Sequence, residues 1–364
     1  MAQTGTLTLR KATVSGSTSK PEGNSTKGAL YNHGGILSVV SSTISGNTGC
    51  GISNEGYYAP TRDSGRATVN SSIVSGNTIC GIRTFYTQSL TVTNSTIANN
   101  QGDGIIPDTT SARVINSTIS GNGGSGIFTG EYSFTSIVNS TITGNAGTKS
   151  RGTVVDPGPG IPPAGRLGGG VYVGYGSGVS ASNSTISGNS ANVGGALYIG
   201  GGGYNGASLS NTTVTGNTAT WGGGISIGGL GSELELHRTI LSGNTATTGR
   251  EAFVTQNRQV TVTAGDFNVI GFGGNAGVAG FAPGVTDIVP AQPLNRVLNT
   301  RLANNGGATR THELVAGSSA IDSVNDGTCP PPARDQRGIK RPQDGNGDGG
   351  PACDSGSYER AAGG

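Results

Sequence analysis

A tripeptide returns along most of this chain at intervals too short for the common helical repeats. Ser-Gly-Asn, or a close variant, ends at Ser17, Asn47, Asn77, Asn100, Asn122, Asn145, Asn189, Asn217 and Asn244. The steps are 30, 30, 23, 22, 23, 44, 28 and 27 residues. A period near 22 with variable excursions fits one turn of a β-solenoid. A second column lies six residues earlier, at Asn94, Asn116, Asn139, Asn183 and Asn211, with Ser41 and Ser71 in the first turns. A third column is apolar: Ile52, Ile82, Ile105 and Ile127, then Leu197 and Ile225. Stretches such as Leu90-Thr91-Val92-Thr93 alternate, which predicts strands with one buried face.

The step of 44 reads as one coil carrying an insertion. Its excess falls on 148–167, a Pro-, Gly- and Arg-rich stretch without the repeat signature. About nine coils at ~4.8 Å each predict a rod of ~43 Å. Asn suits the corners because it tolerates left-handed backbone angles, and a stacked amide both donates and accepts. The Asn-Ser-Thr triplets also match glycosylation acceptors. The ladder already accounts for them.

Composition narrows the function classes. Gly is 68 of 364 residues, with 15 Pro and 12% charged residues, a mixture close to that of disordered chains. The fixed spacing of the apolar residues argues for a fold instead. A net charge of +2 without a basic stripe predicts no nucleic-acid partner. No run approaches 18 apolar residues, so no transmembrane segment is expected. Residues 1–10 hold no signal-peptide core, and the chain opens directly in a repeat. The expectation is the interior of a longer protein whose leader preceded residue 1.

Four cysteines fall into two pairs. Cys50 and Cys80 each lie three residues past a ladder Asn, so they stack on adjacent coils, as a bridge or as a reduced buried pair. Cys329 and Cys353 flank a Pro- and Gly-rich segment with little core, where a disulfide is expected.

The repeats resemble right-handed parallel β-helix proteins of the pectate-lyase type. Gly194-Gly195-Ala196-Leu197 after Ser187-Gly188-Asn189 is also similar to autotransporter passengers and polymorphic outer-membrane proteins. The predicted fold is all-β: a single-stranded right-handed parallel β-helix over 1–262, with an irregular C-terminal cap over 263–364. In that second part stand Asp266-Phe267-Asn268-Val269-Ile270-Gly271, Asp335-Gln336-Arg337-Gly338 and Cys353-Asp354-Ser355-Gly356-Ser357-Tyr358-Glu359. This set resembles the choice-of-anchor Q domain of bacterial surface and secreted proteins, which implies an extracellular or cell-surface location. Asp335, Arg337 and Arg341 are placed to form a charged lock with Asp354 or Glu359.

The resemblance implies chemistry on the outer face of the strands. A lyase needs acids for calcium and a basic residue, and a hydrolase needs two carboxylates within about 10 Å. The outward column reads Ser53, Arg83, Ile106, Phe128, Tyr172, Tyr198 and Ser226, without a carboxylate. Asp103, Asp108, Glu131 and Asp156 are the nearby acids, with Arg151 and Arg166 in the insertion. Arg83, Phe128, Tyr172 and Tyr198 are therefore the candidate ligand-binding residues, suited to stacking on a sugar chain; the alternative is ordinary packing under loops. Glu233, Glu235 and His237 alternate on one strand and are the candidate catalytic group, although neighbouring coils offer no partner at matching positions. Asp344-Gly345-Asn346-Gly347-Asp348-Gly349 matches half a calcium loop. The expected twelfth-position Glu is replaced by Ser355, which leaves Asp354 or Glu359 to complete a calcium site, against the alternative of a solvated turn. The expected function is a structural or adhesive β-helix that binds polysaccharide or stacks end to end as a homopolymer. A polysaccharide lyase or glycoside hydrolase is the alternative.

Overall fold

The computed structural model describes residues 5–18, 28–56, 65–149, 165–200, 203, 205–255, 259–325, 327, 329 and 332–361. Three parallel sheets of ten strands each wrap one core. Each coil contributes one strand to every sheet, as in Ser89–Thr93, Thr96–Ala98 and Ile105–Asp108. Ten rungs make nine spacings, about 43 Å of rod. The strand ladders run from Thr6 to Ala279. The 44-residue step is a single coil, since Thr141–Thr143 pairs directly with Thr185–Ser187. Thr148–Lys149 and Arg166–Leu167 close the base of its insertion, and the rest of the insertion lies outside the described residues.

The repeat works through three positions. From Ile44 to Val214 the middle residue of each second-sheet strand, as in Ile97, Ile119, Ile142 and Ile186, is buried in the core. Ser41, Ser71, Asn94, Asn116, Asn139, Asn183 and Asn211 turn the corner between the first and second sheets with φ of 45–50°. The Asn ending Ser-Gly-Asn does a different job. From Asn47 to Asn244, each Nδ2 donates to the Oδ1 of the next coil's Asn at 2.8–3.0 Å. The backbone N–H donates to the same oxygen, as in Asn100 to Asn122 at 3.1 Å. The left-handed angle at that corner falls on the preceding Gly, with φ near 64° at Gly76 and Gly121.

A ladder of one polarity leaves donors without acceptors at its last rung. Glu251 takes them: Asn244 Nδ2 at 2.6 Å, Asn244 N at 3.1 Å and Gly243 N at 3.0 Å. Its carboxyl is fully buried, and that burial pushes its pKa up to about 7 against the opposing hydrogen bonds from Asn244 and Gly243. A parallel ladder runs through Ser42, Ser72, Ser95, Ser117, Ser140 and Ser184, each backbone N–H donating to the next hydroxyl. Further along, Thr239 donates to Asn268, which donates to Asp287.

The C-terminal segment does more than close the end. Ile288 bridges Val269 over the last coil, and the chain then turns back along the outer face of the second sheet. Gln336 Nε2 donates to Thr141 Oγ1 at 3.0 Å while its Oε1 accepts from Thr185 Oγ1 at 2.7 Å, so one amide spans two coils. Ser357 contacts Thr213 in the coil beyond. The expected charged lock forms: Arg341 Nη1 meets Glu359 Oε2 at 2.8 Å, both side chains fully buried, and Arg337 meets Asp335 at 2.7 Å. Arg337 also lies over the Tyr358 ring at 3.4 Å. Both cysteine pairs, Cys50–Cys80 and Cys329–Cys353, are disulfides.

Candidate functional site

The predicted aromatic stripe exists, and one of its three rings is closed. Phe128 and Tyr172 stack at 4.6 Å with planes 3° apart, and Tyr198 continues the column at 5.6 Å. Tyr198 is only 1% exposed, packed with Leu167, Val193 and half-buried Trp221. Its phenyl edge also crosses Gly200, where an added Cβ would sit 2.1 Å from Cε1. Tyr198 is thus a packing residue, which corrects the expectation that it meets ligand. Phe128 and Tyr172 are half-buried, and burial pushes the Tyr172 phenol up. Arg83 stands over the Phe85 ring at 5.3 Å rather than over the stripe.

A second aromatic group lies one corner further on, between the third and first sheets. Tyr132, Phe134 and Tyr175 are 56%, 51% and 42% exposed. Tyr132 and Tyr175 meet edge to face at 5.5 Å. Each ring rests on a glycine of the following coil. A Cβ at Gly176 would lie 2.9 Å from Tyr132, one at Gly178 3.1 Å from Phe134, and one at Gly203 3.2 Å from Tyr175. The glycines hold the rings close to backbone on one side and leave the other side bare. Tyr132 has φ of 49°, an uncommon conformation for a bulky residue, shared at this corner by Tyr86 and Thr109. Strain of this kind concentrates at functional positions.

Acids flank this ridge. Asp108 packs against Gly130, and Thr109 N donates to the Glu131 carbonyl at 2.9 Å. Burial raises the Asp108 carboxyl; the Arg83 guanidinium opposes that shift and Glu131 adds to it. Asp103 is structural, accepting from Ser125 N at 2.7 Å and from Thr148 Oγ1. Arg166 holds the carbonyls of Gly123, Ala146 and Gly147 at the base of the insertion. Arg151 and Asp156 lie outside the described residues.

The Glu233–Glu235–His237 strand gains a partner that the spacing concealed. His237 Nδ1 lies 2.9 Å from Asp266 Oδ2, and its Nε2 lies 3.8 Å from Glu235 Oε2. Asp266 also meets Arg238 Nη1 at 2.5 Å. The first-sheet register ends at Glu235↔Thr263, and Arg238 N then bonds to Asp266 O. One extra residue beside Gly265 thus shifts Asp266 out of the counted position. Arg238 shares the carboxylate, so Asp266 anchors the corner as well as the imidazole.

In the half calcium loop, the Asp344 carboxylate accepts from the N–H groups of Gly347, Asp348 and Gly349. Asn346 Oδ1 accepts from Asp348 N, and Asn346 Nδ2 donates to Asp348 Oδ2. Asp354 is not with them. It is fully buried and accepts from Asp322 N at 2.7 Å and Arg360 N at 2.5 Å, which corrects its expected place as a further ligand. Among the described residues no three His, Cys, Asp or Glu side chains gather around a point that could hold a metal ion. Among the same residues, no helix is long and apolar enough to cross a membrane.

The family described as the right handed beta helix region matches residues 1–161 and 62–281. The chain belongs to this β-helix family. A crystal structure of pectate lyase Pel9A is similar to the β-helix at 14% identity, covering 98% of this chain and 88% of that one, with a TM-score of 0.46. No curated protein matches the β-helix.

Proposed function

We propose that this β-helix is an extracellular or cell-surface structural or adhesive protein that holds polysaccharide on the Tyr132–Phe134–Tyr175 ridge. The observation that carries the reading is the ridge itself: three exposed rings on two adjacent coils, Tyr132 and Phe134 on one and Tyr175 on the next, each backed by glycine. Aromatic faces bind the apolar C–H faces of sugars, and exposed aromatics beyond the needs of packing point to a binding surface. A panel of extracellular polysaccharides tests the reading by affinity electrophoresis. Wild type is expected to be retarded by at least one polymer, and Tyr132→Ala/Tyr175→Ala to run freely. Retardation that is equal in both proteins sinks the proposal.

Asp108 supports a second reading, hydrolysis or elimination at the same ridge. A carboxyl raised by burial is suited to act as a general acid, with Glu131 beside it. Reducing-end release, or new absorbance from unsaturated ends, that disappears in Asp108→Asn would favour it over binding alone.

A further inference from the structure

On the opposite flank, the C-terminal segment stops short of the first coils and leaves a groove of ≈ 500 Å³ beside the second sheet. One wall is built from three successive coils, with Thr96, Thr118, Ser120 and Thr143 among its lining residues. All four are half-buried, and their hydroxyls have no partner among the described residues. Thr141, on the same wall, is already used: it donates to the Arg310 carbonyl at 2.6 Å. The other wall is the 302–310 stretch. Arg310, Gly307 and Ala308 are exposed here, and neither the Arg310 guanidinium nor the backbone N–H groups of Gly307, Ala308 and Arg310 have an acceptor among the described residues. No carboxylate lines the groove.

Donors thus line both walls of the groove, with one exposed, unpaired positive charge and no negative one. We propose that this groove binds a sulfate or phosphate ester carried on a polyhydroxylated chain. A tetrahedral oxyanion directs oxygens to both walls at once. Arg310 can hold two of them through its fork, and the hydroxyl column can take another. A planar carboxylate satisfies only one wall. The remaining hydroxyls, repeating at the coil spacing, suit the hydroxyl groups of the chain that bears the ester. This site is separate from the aromatic ridge and needs none of its residues.

Four polymers with one backbone test the proposal: dextran, carboxymethyl-dextran, dextran sulfate and dextran phosphate, titrated calorimetrically at fixed salt. At least one ester is expected to bind, more tightly than carboxymethyl-dextran. Arg310→Gln should weaken that binding about tenfold or more, which is 1.4 kcal/mol, and Thr118→Val/Ser120→Ala several-fold. Arg113→Gln removes an exposed arginine elsewhere on the rod and should change it less than twofold. The inference is overturned if Arg310→Gln matches Arg113→Gln, if carboxymethyl-dextran binds equally with the same Arg310 dependence, or if neither ester binds. Binding of the ester by Tyr132→Ala/Tyr175→Ala would uphold the groove even where the ridge fails. Loss of neutral-glycan binding in that double variant alone would uphold the ridge even where the groove fails.

Discussion

Two corners of the same coil have opposite characters. Between the second and third sheets, the Asn that ends Ser-Gly-Asn or its variants stacks into an amide ladder in which each Asn is paired with the next and a buried carboxyl closes the end. Between the third and first sheets the connections vary, Tyr132 stands at φ of 49°, and aromatic rings face outward. The first corner satisfies every side-chain amide internally, so nothing remains there for a ligand. The second leaves apolar surface and backbone strain uncompensated by packing. On a solenoid, regularity is a sign of architecture, and binding is to be sought where the repeat breaks.

The largest effect should come from Tyr198, the buried aromatic that only looks like part of a ligand platform. Tyr198→Ala empties a fully packed site and should cost about 3–5 kcal/mol in urea unfolding, whereas Tyr175→Ala should cost about 1 kcal/mol or less. Equal losses would erase the distinction between stripe and ridge. Next comes the ladder. Asn122→Ala removes the acceptor for two Asn100 donors and orphans the Ile97 carbonyl, a cost of about 3 kcal/mol, with glycan binding unchanged.

The ladder's last rung makes a pH prediction. Glu251 titrates at about 7 in the folded chain, against 4.5 for an ordinary carboxyl. The unfolded chain therefore ionises first. The contribution is fully present below pH ~4.5 and is lost as pH rises through about 7, a span worth about 3 kcal/mol. Urea midpoints measured from pH 4.5 to 8 should fall across that window, and Glu251→Gln should make the decline shallower, leaving the share of Asp354 and Glu359, whose carboxyls burial also raises. The smallest effect should be at the ridge corner, and of opposite sign. Tyr132→Gly relieves the left-handed strain and should raise stability by about 1 kcal/mol while weakening glycan binding; calorimetry and affinity electrophoresis on one preparation read both.

The coil was legible because its signals are local: Asn at the ladder, Ile in the core, and alternation between them. The site was less legible because it depends on what covers each outward residue. Phe128, Tyr172 and Tyr198 alternate outward as expected, but Leu167 and Val193 from neighbouring connections roof Tyr198. Tyr132 and Tyr175 sit in connections without a fixed offset, so column counting passes over them. The available signal was the glycine that follows in the next coil. Asp266 was hidden by one inserted residue. The contact of Gln336 with Thr141, 195 residues apart, left no trace in any repeat.

The most direct test of the account is a paired assay of one protein on one polymer: retardation of wild-type and Tyr132→Ala/Tyr175→Ala chains in a gel containing a polysaccharide that wild type binds, with product analysis of the same gel. A binding ridge predicts retardation by wild type, its loss in a variant that remains folded with only a small fall in thermal stability, and intact polymer in both lanes. Undiminished retardation of the variant would contradict it.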